Sequence, residues 1–552
     1  MKKPVIAIGL DAADPSLIEQ WMDQGHLENI SRLREQGTYA RLENLDYYRA
    51  ETPWTTFLTG CSPQQTGYWS PIKFYPETYD AKLVEAYDFK EYRPFYALGD
   101  DFRVAVFDMP HAQVVDGVNG IQVMAWGAHS PQGPSASQPT SLLQEIIDKH
   151  GSHPGLHNDH ANCFDRAALE RLQGILETGI ARRAEICKDL LQQEQWDLFL
   201  TIFGETHAAG HFMWHLSQPD HPLYETLGEK GANDRMLAVF KAIDRAIGEI
   251  LTAAPEDAHI IVFSAHGMGT NVMDVPSGTF LPEFLYRYSF PGRYGIAKGE
   301  AGTPVADPIT QCKKNSWAWE VWSSKDDPNP LRRFLRREAP YRVFKRIEPF
   351  LGSSPQPDLV SPQKLNEQSN PMSFQPAEWY KPCWSKMKAF ALPSFSEGYV
   401  RINLQGREAQ GIVAPEDYEA VCDEISQKLY ALKDARTGTP MVKRIVRMRQ
   451  SPSDRDPKLP DADLAVIWQE EYAADTVDSP EYGRIGPVPH FRTGSHRAEG
   501  FFIGKGPGIE AGSNLPVSRS FDLTPTILQL MDAPIPAHCE GKSLIETTVL
   551  AG

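Results

Sequence analysis

Short runs of apolar residues, each ended by a polar or small one, punctuate the first half of the chain. Val5–Leu10 stops at Asp11, residues 104–107 at Asp108, Leu198–Phe203 at Gly204 and Glu205, and residues 260–263 at Ser264. Runs of this length without alternation fit strands buried on both faces, as in a parallel sheet. Between them, residues 27–36, Arg166–Gln193 and 234–252 carry apolar side chains at helical spacing. The alternation predicts an α/β fold, a mostly parallel central sheet with helices on both faces. In such sheets ligands gather beyond the carboxyl ends of the strands, so the residues that end the apolar runs are the first candidates for chemistry.

The pattern changes over residues 291–382, where Pro, Trp, Ser and Lys/Arg recur with little strand periodicity. This stretch reads as an insertion or cap. Ordered sequence resumes near Ala389 and continues through blocks at 398–403, 442–449 and 463–468, a helical stretch over 415–432, and a return to site-like sequence at 490–497. The expected organisation is one catalytic α/β core formed by residues 1–290 and 383–552, interrupted by the insertion at 291–382.

Composition narrows the function classes. The 552 residues are 41% hydrophobic and 23% charged, enough apolar material for a large core. With 55 Lys and Arg against 72 Asp and Glu, the net charge is −17, which argues against a nucleic-acid polymer as partner. Seven scattered cysteines with no C-x-x-C pair read as reduced thiols in a cytosol-like compartment. The apolar run after Lys2 and Lys3 is cut short by Asp11, and no window reaches the ~18 apolar residues of a membrane span. The expectation is a cytoplasmic protein with no membrane partner; its oligomeric state is not legible.

Six residues at strand ends or in loops combine into candidate metal chemistry: Asp11, Thr52, His207, His211, His266 and His496. Imidazole and carboxylate suit zinc, manganese or iron. Singly, each has an ordinary reading. Asp11 could cap a helix, Thr52 could cap the helix that Pro53 begins, and a His-x-x-x-His pair such as His207 and His211 occurs by chance. As a nucleophile, Thr52 needs a metal beside its oxygen, because a hydroxyl is unreactive near neutral pH. Glu51 and Glu205 are neighbouring carboxylates that could complete a metal site or contact substrate, or equally be solvated or capping residues, and Arg497 is a neighbouring cation suited to an anionic substrate or to a structural salt bridge. His150, His153, His157 and His160 read as a surface loop, while His111, His129, His215 and His490 lie nearer the strand ends. Trp54, Tyr68, Trp69, Trp126 and Trp214 read mainly as core.

The ordered blocks Gly9-Leu10-Asp11-Ala12-Ala13-Asp14-Pro15, Thr55-Thr56-Phe57-Leu58-Thr59-Gly60, Phe263-Ser264-Ala265-His266-Gly267-Met268-Gly269 and Thr493-Gly494-Ser495-His496-Arg497 resemble the alkaline phosphatase superfamily. The resemblance is to its type I phosphodiesterase/nucleotide pyrophosphatase branch and extends through Gly500-Phe501-Phe502-Ile503-Gly504 and Asp522-Leu523-Thr524-Pro525-Thr526. It implies an alkaline-phosphatase-like three-layer sandwich and a two-metal hydrolase. One metal would be held at positions 207, 211 and 496, where His207 replaces the usual aspartate. The other would be held by Asp11, the nucleophile Thr52, and an Asp-His pair that is Ala265-His266 here. The family places its reactive hydroxyl two positions further upstream, at Ala50, so Thr52 serves only if the preceding turn is shorter.

The expected activity is metal-dependent hydrolysis of phosphate or related ester bonds. A phosphodiesterase on a small anionic or zwitterionic molecule, using one or two divalent ions with zinc foremost, fits best. The two lost carboxylates leave open a one-metal relative turned to transferase or other specialised chemistry, or a non-catalytic binding relative.

Overall fold

The structure is a computed structural model that describes residues 3–545 apart from 46, 49–51, 85, 128–132, 230–232, 315, 353–358 and 396. Its centre is a sheet in which Thr38–Glu43, Gly500–Lys505, His259–Ser264, Val5–Leu10, Leu198–Phe203, Gly99–Phe107, Val118–Met124 and Ala136–Gln138 lie side by side in that order. The five strands from His259–Ser264 to Val118–Met124 run parallel, and antiparallel strands flank them on both sides.

Every residue of Val5–Leu10, Leu198–Phe203 and His259–Ser264 is buried. Alternation along the strand splits the core in two. Ile6, Ile8 and Leu10 join a cluster with helices Arg166–Gln193, Glu205–Ser217 and Arg235–Leu251, whereas Val5 and Ala7 face Trp54, Phe57 and Leu523 on the other side. The result is an α/β sandwich with helices on both faces of a mostly parallel sheet. Register aligns the strand ends: Leu10 pairs with Phe203 and Gly9 with Phe263, so Asp11, Glu205 and Ser264 emerge at one edge.

A third hydrophobic cluster surrounds a four-stranded antiparallel sheet of Ala389–Ala391, Gly398–Ile402, Leu464–Trp468 and Val442–Arg447. Short helices of the 291–382 stretch contribute Trp319, Trp322 and Trp379 to it. Several begin with a side-chain cap, Ser316, Asn329 or Ser361, which accounts for the Ser and Pro texture of that sequence. No helix among the described residues is long and apolar enough to cross a membrane.

Candidate metal centre

Hydroxyls knit the strand ends together. Ser264 Oγ lies 2.6 and 2.7 Å from the carbonyls of Leu10 and His266, its single proton shared between them, and accepts from the Ala13 N–H, while Thr206 Oγ1 donates to the Asp11 carbonyl at 2.6 Å. Three segments are thereby fixed where Asp11, His207 and His266 leave the sheet.

His496 arrives from the far end of the sequence on the strand Gly494–Arg497, which pairs with Gly267–Thr270 so that His496 lies opposite Met268. Thr493 N–H donates to the His211 carbonyl at 2.8 Å, and His211 Nδ1 bonds the Gly494 carbonyl at 2.7 Å. That carbonyl can only accept, so Nδ1 carries the proton and the neutral ring's Nε2 lone pair faces inward. His207 Nε2 stands 3.0 Å from His211 Nε2. One ring nitrogen from each of His207, His211 and His496 lies within 4.8 Å of the others, and all three residues are buried. His266 closes the group, its ring centroid 4.9 Å from that of His496. Ring nitrogens converging from one helix and one strand suit a divalent ion of the borderline class.

Asp11 Oδ1 lies 3.7 Å from His266 Nε2 and accepts a 2.8 Å hydrogen bond from the Trp54 indole. Trp54 thus orients the carboxylate rather than serving only as core. Ala265, next to His266, is fully buried and packs with Trp54 and Phe263 in the apolar layer. Thr52 is the buried residue that precedes helix Pro53–Thr59; its side chain makes no capping bond, and its carbonyl accepts from Tyr48 Oη at 2.9 Å. Glu51 and Ala50 lie outside the described residues, as does His129.

Glu205 has a different task from the metal or substrate contact expected of it. The first residue of the helix that carries His207 and His211, it accepts from Arg183 Nε at 3.2 Å and is 3.0 Å from His153 Nε2. Gly155 N–H donates to His153 Nδ1, so Nε2 is the protonated nitrogen. Arg183 also donates to Asp108 at 2.7 Å and lies over the rings of Phe107, Trp126 and Phe203. Burial pushes the Glu205 pKa up, but Arg183 and His153 outweigh it and hold the carboxyl below its usual range. His153, expected on the surface, is buried because it closes this network. Nothing local in the sequence marks Arg183, since its partners come from strand ends 75 and 22 residues away.

Arg497 follows His496 in a strand and therefore points to the opposite face. Its guanidinium bonds the Thr270 carbonyl at 2.5 Å rather than facing the histidines. Arg492 is the cation that meets the cluster among the described residues, and no motif in the sequence marks it. Its Nη1 donates to His211 Nε2 at 3.0 Å, and Nε and Nη2 are fixed by Asp274 at 2.8 and 2.7 Å. His215, His221 and His490 form a second buried group, with ring centroids 5.9 and 5.3 Å apart along the series. His215 Nδ1 bonds Thr493 Oγ1 at 2.9 Å, and burial, aided by His490, lowers its pKa to about 3.

Residues 5–297 match the family model of type I phosphodiesterase/nucleotide pyrophosphatase, which is more than half of the chain. Among solved structures, phosphonoacetate hydrolase from Sinorhizobium meliloti is similar at 13% identity, covering 96% of each chain with a TM-score of 0.45. The murine and human ectonucleotide pyrophosphatase/phosphodiesterase 5 are each similar at 12% identity, covering 98% of this chain and 97% of theirs with a TM-score of 0.46. No curated protein sequence gives a significant match.

Proposed function

The chain belongs to the type I phosphodiesterase/nucleotide pyrophosphatase family, a family of phosphoester hydrolases, and from that premise we propose that it is a metal-dependent phosphodiesterase acting on a small anionic or zwitterionic molecule. One observation carries the reading: His207, His211 and His496, drawn from distant parts of the sequence, place three ring nitrogens within 4.8 Å of one another at the sheet edge. Three neutral nitrogens with an open position are the donor set of catalytic zinc, and manganese or iron can use similar ligands. A divalent ion held there would polarise a phosphoryl oxygen and favour the ionised form of a neighbouring hydroxyl.

The chain's own residues supply the rest. Thr52 is the proposed nucleophile: its oxygen forms a bond to phosphorus as the bond to the leaving alcohol breaks, and water then cleaves the threonine ester. Asp11 and His266 form the polar pair assigned to its side of the site, with Trp54 fixing the carboxylate. A one-metal relative with altered chemistry is the second reading, and it draws on one feature, the apolar environment of Ala265 where a carboxylate is usual.

Hydrolysis of an aryl phosphodiester, an aryl phosphomonoester and an aryl sulfate, each with added zinc or manganese, tests the proposal. The diester should be turned over fastest, with loss of activity on chelation and in His211→Ala. Silence toward all three substrates with either metal would end it.

A further inference from the structure

The helix Pro330–Glu338, within the 291–382 stretch, is turned inside out. Its buried residues are Arg332 and Arg336, whereas Leu331 and Phe334 are 54% and 59% exposed. Helical spacing sets the two pairs on opposite sides. Asp327 fixes this orientation: its buried carboxylate accepts from Arg332 Nε and Nη2 at 2.6 and 2.8 Å and from Arg336 Nη2 at 2.8 Å. Rolling the helix to cover Leu331 and Phe334 would pull both guanidinium groups from a buried acid, so the outward apolar face is built into the fold.

The chain that follows repeats the pattern. In helix Tyr341–Ile347, Phe344 packs inward with the Arg336 guanidinium carbon 5.6 Å from its ring centroid, while Val343 is 45% exposed. Phe350, in the short helix Glu348–Leu351, is 86% exposed. Asn329 Nδ2 donates to the Leu351 carbonyl at 3.0 Å, which returns this segment to the start of the first helix. Exposed cations separate the apolar tips: Arg333, Arg337, Arg342, Lys345 and Arg346. Three of them also meet acids, Arg333 at Asp326, Arg337 at Glu338 and Lys345 at Glu367. Residues 330–352 nevertheless hold seven Lys and Arg against two Glu, in a chain of net charge −17.

We infer that this face docks on an anionic lipid bilayer as a peripheral contact. Leu331, Phe334, Val343 and Phe350 enter the boundary between headgroups and acyl chains, and the interleaved Arg and Lys meet lipid phosphates. Apolar tips spaced by long cationic side chains suit that boundary, where the stems are covered and the charged heads stay in water. A protein partner fits less well, because the centres of protein interfaces are depleted of charge. A second copy docked through the same patch would set cation against cation. The acidic remainder of the molecule is repelled by an anionic surface, which favours approach through this face. Such a contact lies in the interface and needs no membrane-crossing helix.

Co-sedimentation of the full chain with phosphatidylcholine vesicles, with and without about 30 mol% phosphatidylglycerol, tests this. Affinity should be at least about tenfold higher for the anionic vesicles, and should fall at least about tenfold between about 0.1 M and about 0.5 M salt. Phe334→Ser combined with Phe350→Ser should weaken binding to anionic vesicles at least about tenfold. Arg342→Glu combined with Arg346→Glu should do the same through charge. These positions are exposed, so both variants should keep the wild-type thermal midpoint. Val517→Ser, at an exposed apolar position elsewhere, should bind as the wild type does. No sedimentation with either vesicle, equal binding to both, or binding that survives both double variants overturns the inference. A chain that ignores vesicles but forms a concentration-dependent dimer, lost in the Phe334→Ser and Phe350→Ser variant, would assign the face to a second copy and end the lipid assignment.

Discussion

Gly494 passes so close to Gly210 that a Cβ added to Gly494 would stand 2.2 Å from the Gly210 carbonyl oxygen. This crossing sets His496, two residues on, against the helix that carries His207 and His211. Backbone cannot yield as a side-chain tip can, so Gly494→Ala must displace the strand or the helix. The variant should lose about 1–3 kcal/mol of stability and bind zinc at least about tenfold more weakly. Competition with a chromophoric chelator measures the affinity; unchanged zinc binding would show that the crossing does not position His496.

A second prediction concerns the lock at the start of that helix. Arg183, Asp108 and Glu205 are all buried, and the single guanidinium serves both carboxylates. Arg183→Met leaves two buried acids without their cation, so urea denaturation should register a loss of about 3–5 kcal/mol. His153→Ala should cost less, about 1–2 kcal/mol, because Arg183 remains on Glu205. A loss below 1 kcal/mol for Arg183→Met would show that the network is not what secures the helix.

Much of this arrangement could be read from the chain. The runs Val5–Leu10 and Leu198–Phe203 are strands with those bounds, Arg166–Gln193 is a helix, and the histidines at 207, 211, 266 and 496 meet. These features are legible because doubly buried strands and long helices leave strong periodic patterns. The strands Thr38–Glu43 and Val118–Met124 are not, since each mixes apolar, polar and small residues and gains its order from the strands it pairs with. Arg183, Trp54 and Arg492 escape for a related reason: their partners are Glu205, Asp11 and Asp274, brought near only by the fold. Arg497 misleads because adjacency in sequence to His496 means opposite faces in a strand.

Acid should weaken the protein through the second histidine group. Burial holds His215 at about 3 and lowers His221 and His490 as well, with His490 adding to the effect on both neighbours. The unfolded chain takes up these protons below about pH 6.5 and the native chain does not, so their contribution is present above that pH and is lost as pH falls. For His215 alone the loss between pH 7 and 5 is about 2 kcal/mol. Denaturation of wild type and His215→Gln at the two pH values checks this, and the variant should show the shallower decline. Parallel pH dependence would refute it.

Asp14 acts in the opposite sense. It caps the helix Pro15–Asp23 through the Leu17 N–H, and burial raises its pKa to about 6 although that N–H and Arg497 pull the other way. The native state keeps the proton up to about pH 6 while the unfolded state loses it near 3.8, so stability declines as pH rises between those values. Asparagine preserves the cap without the charge. Asp14→Asn should therefore match wild type near pH 4 and exceed it by about 1–2 kcal/mol at pH 7.5, the full shift being discounted for partial exposure. A variant less stable than wild type at pH 7.5 would contradict this account.

Ala265→Asp tests how the site's charge governs its metal content. In the wild type, Asp11 and His266 stand 3.7 Å apart with a buried alanine beside His266, a set with one carboxylate and one imidazole. Such a pair is a weak holder for a second cation, whereas the three histidines suffice for one. Zinc content by mass spectrometry should be near one ion per chain in the wild type and approach two in the variant. Without metal, the new carboxylate is buried against Trp54 and Phe263 with no counter-charge, so the apo variant should be less stable than the apo wild type by about 2–4 kcal/mol. Zinc should restore that loss in the variant by mass action and give the wild type a smaller increment. Two ions in the wild type would instead mean that Asp11, His266 and neighbouring groups already form a complete second position, and the account of Ala265 as the missing ligand would be abandoned.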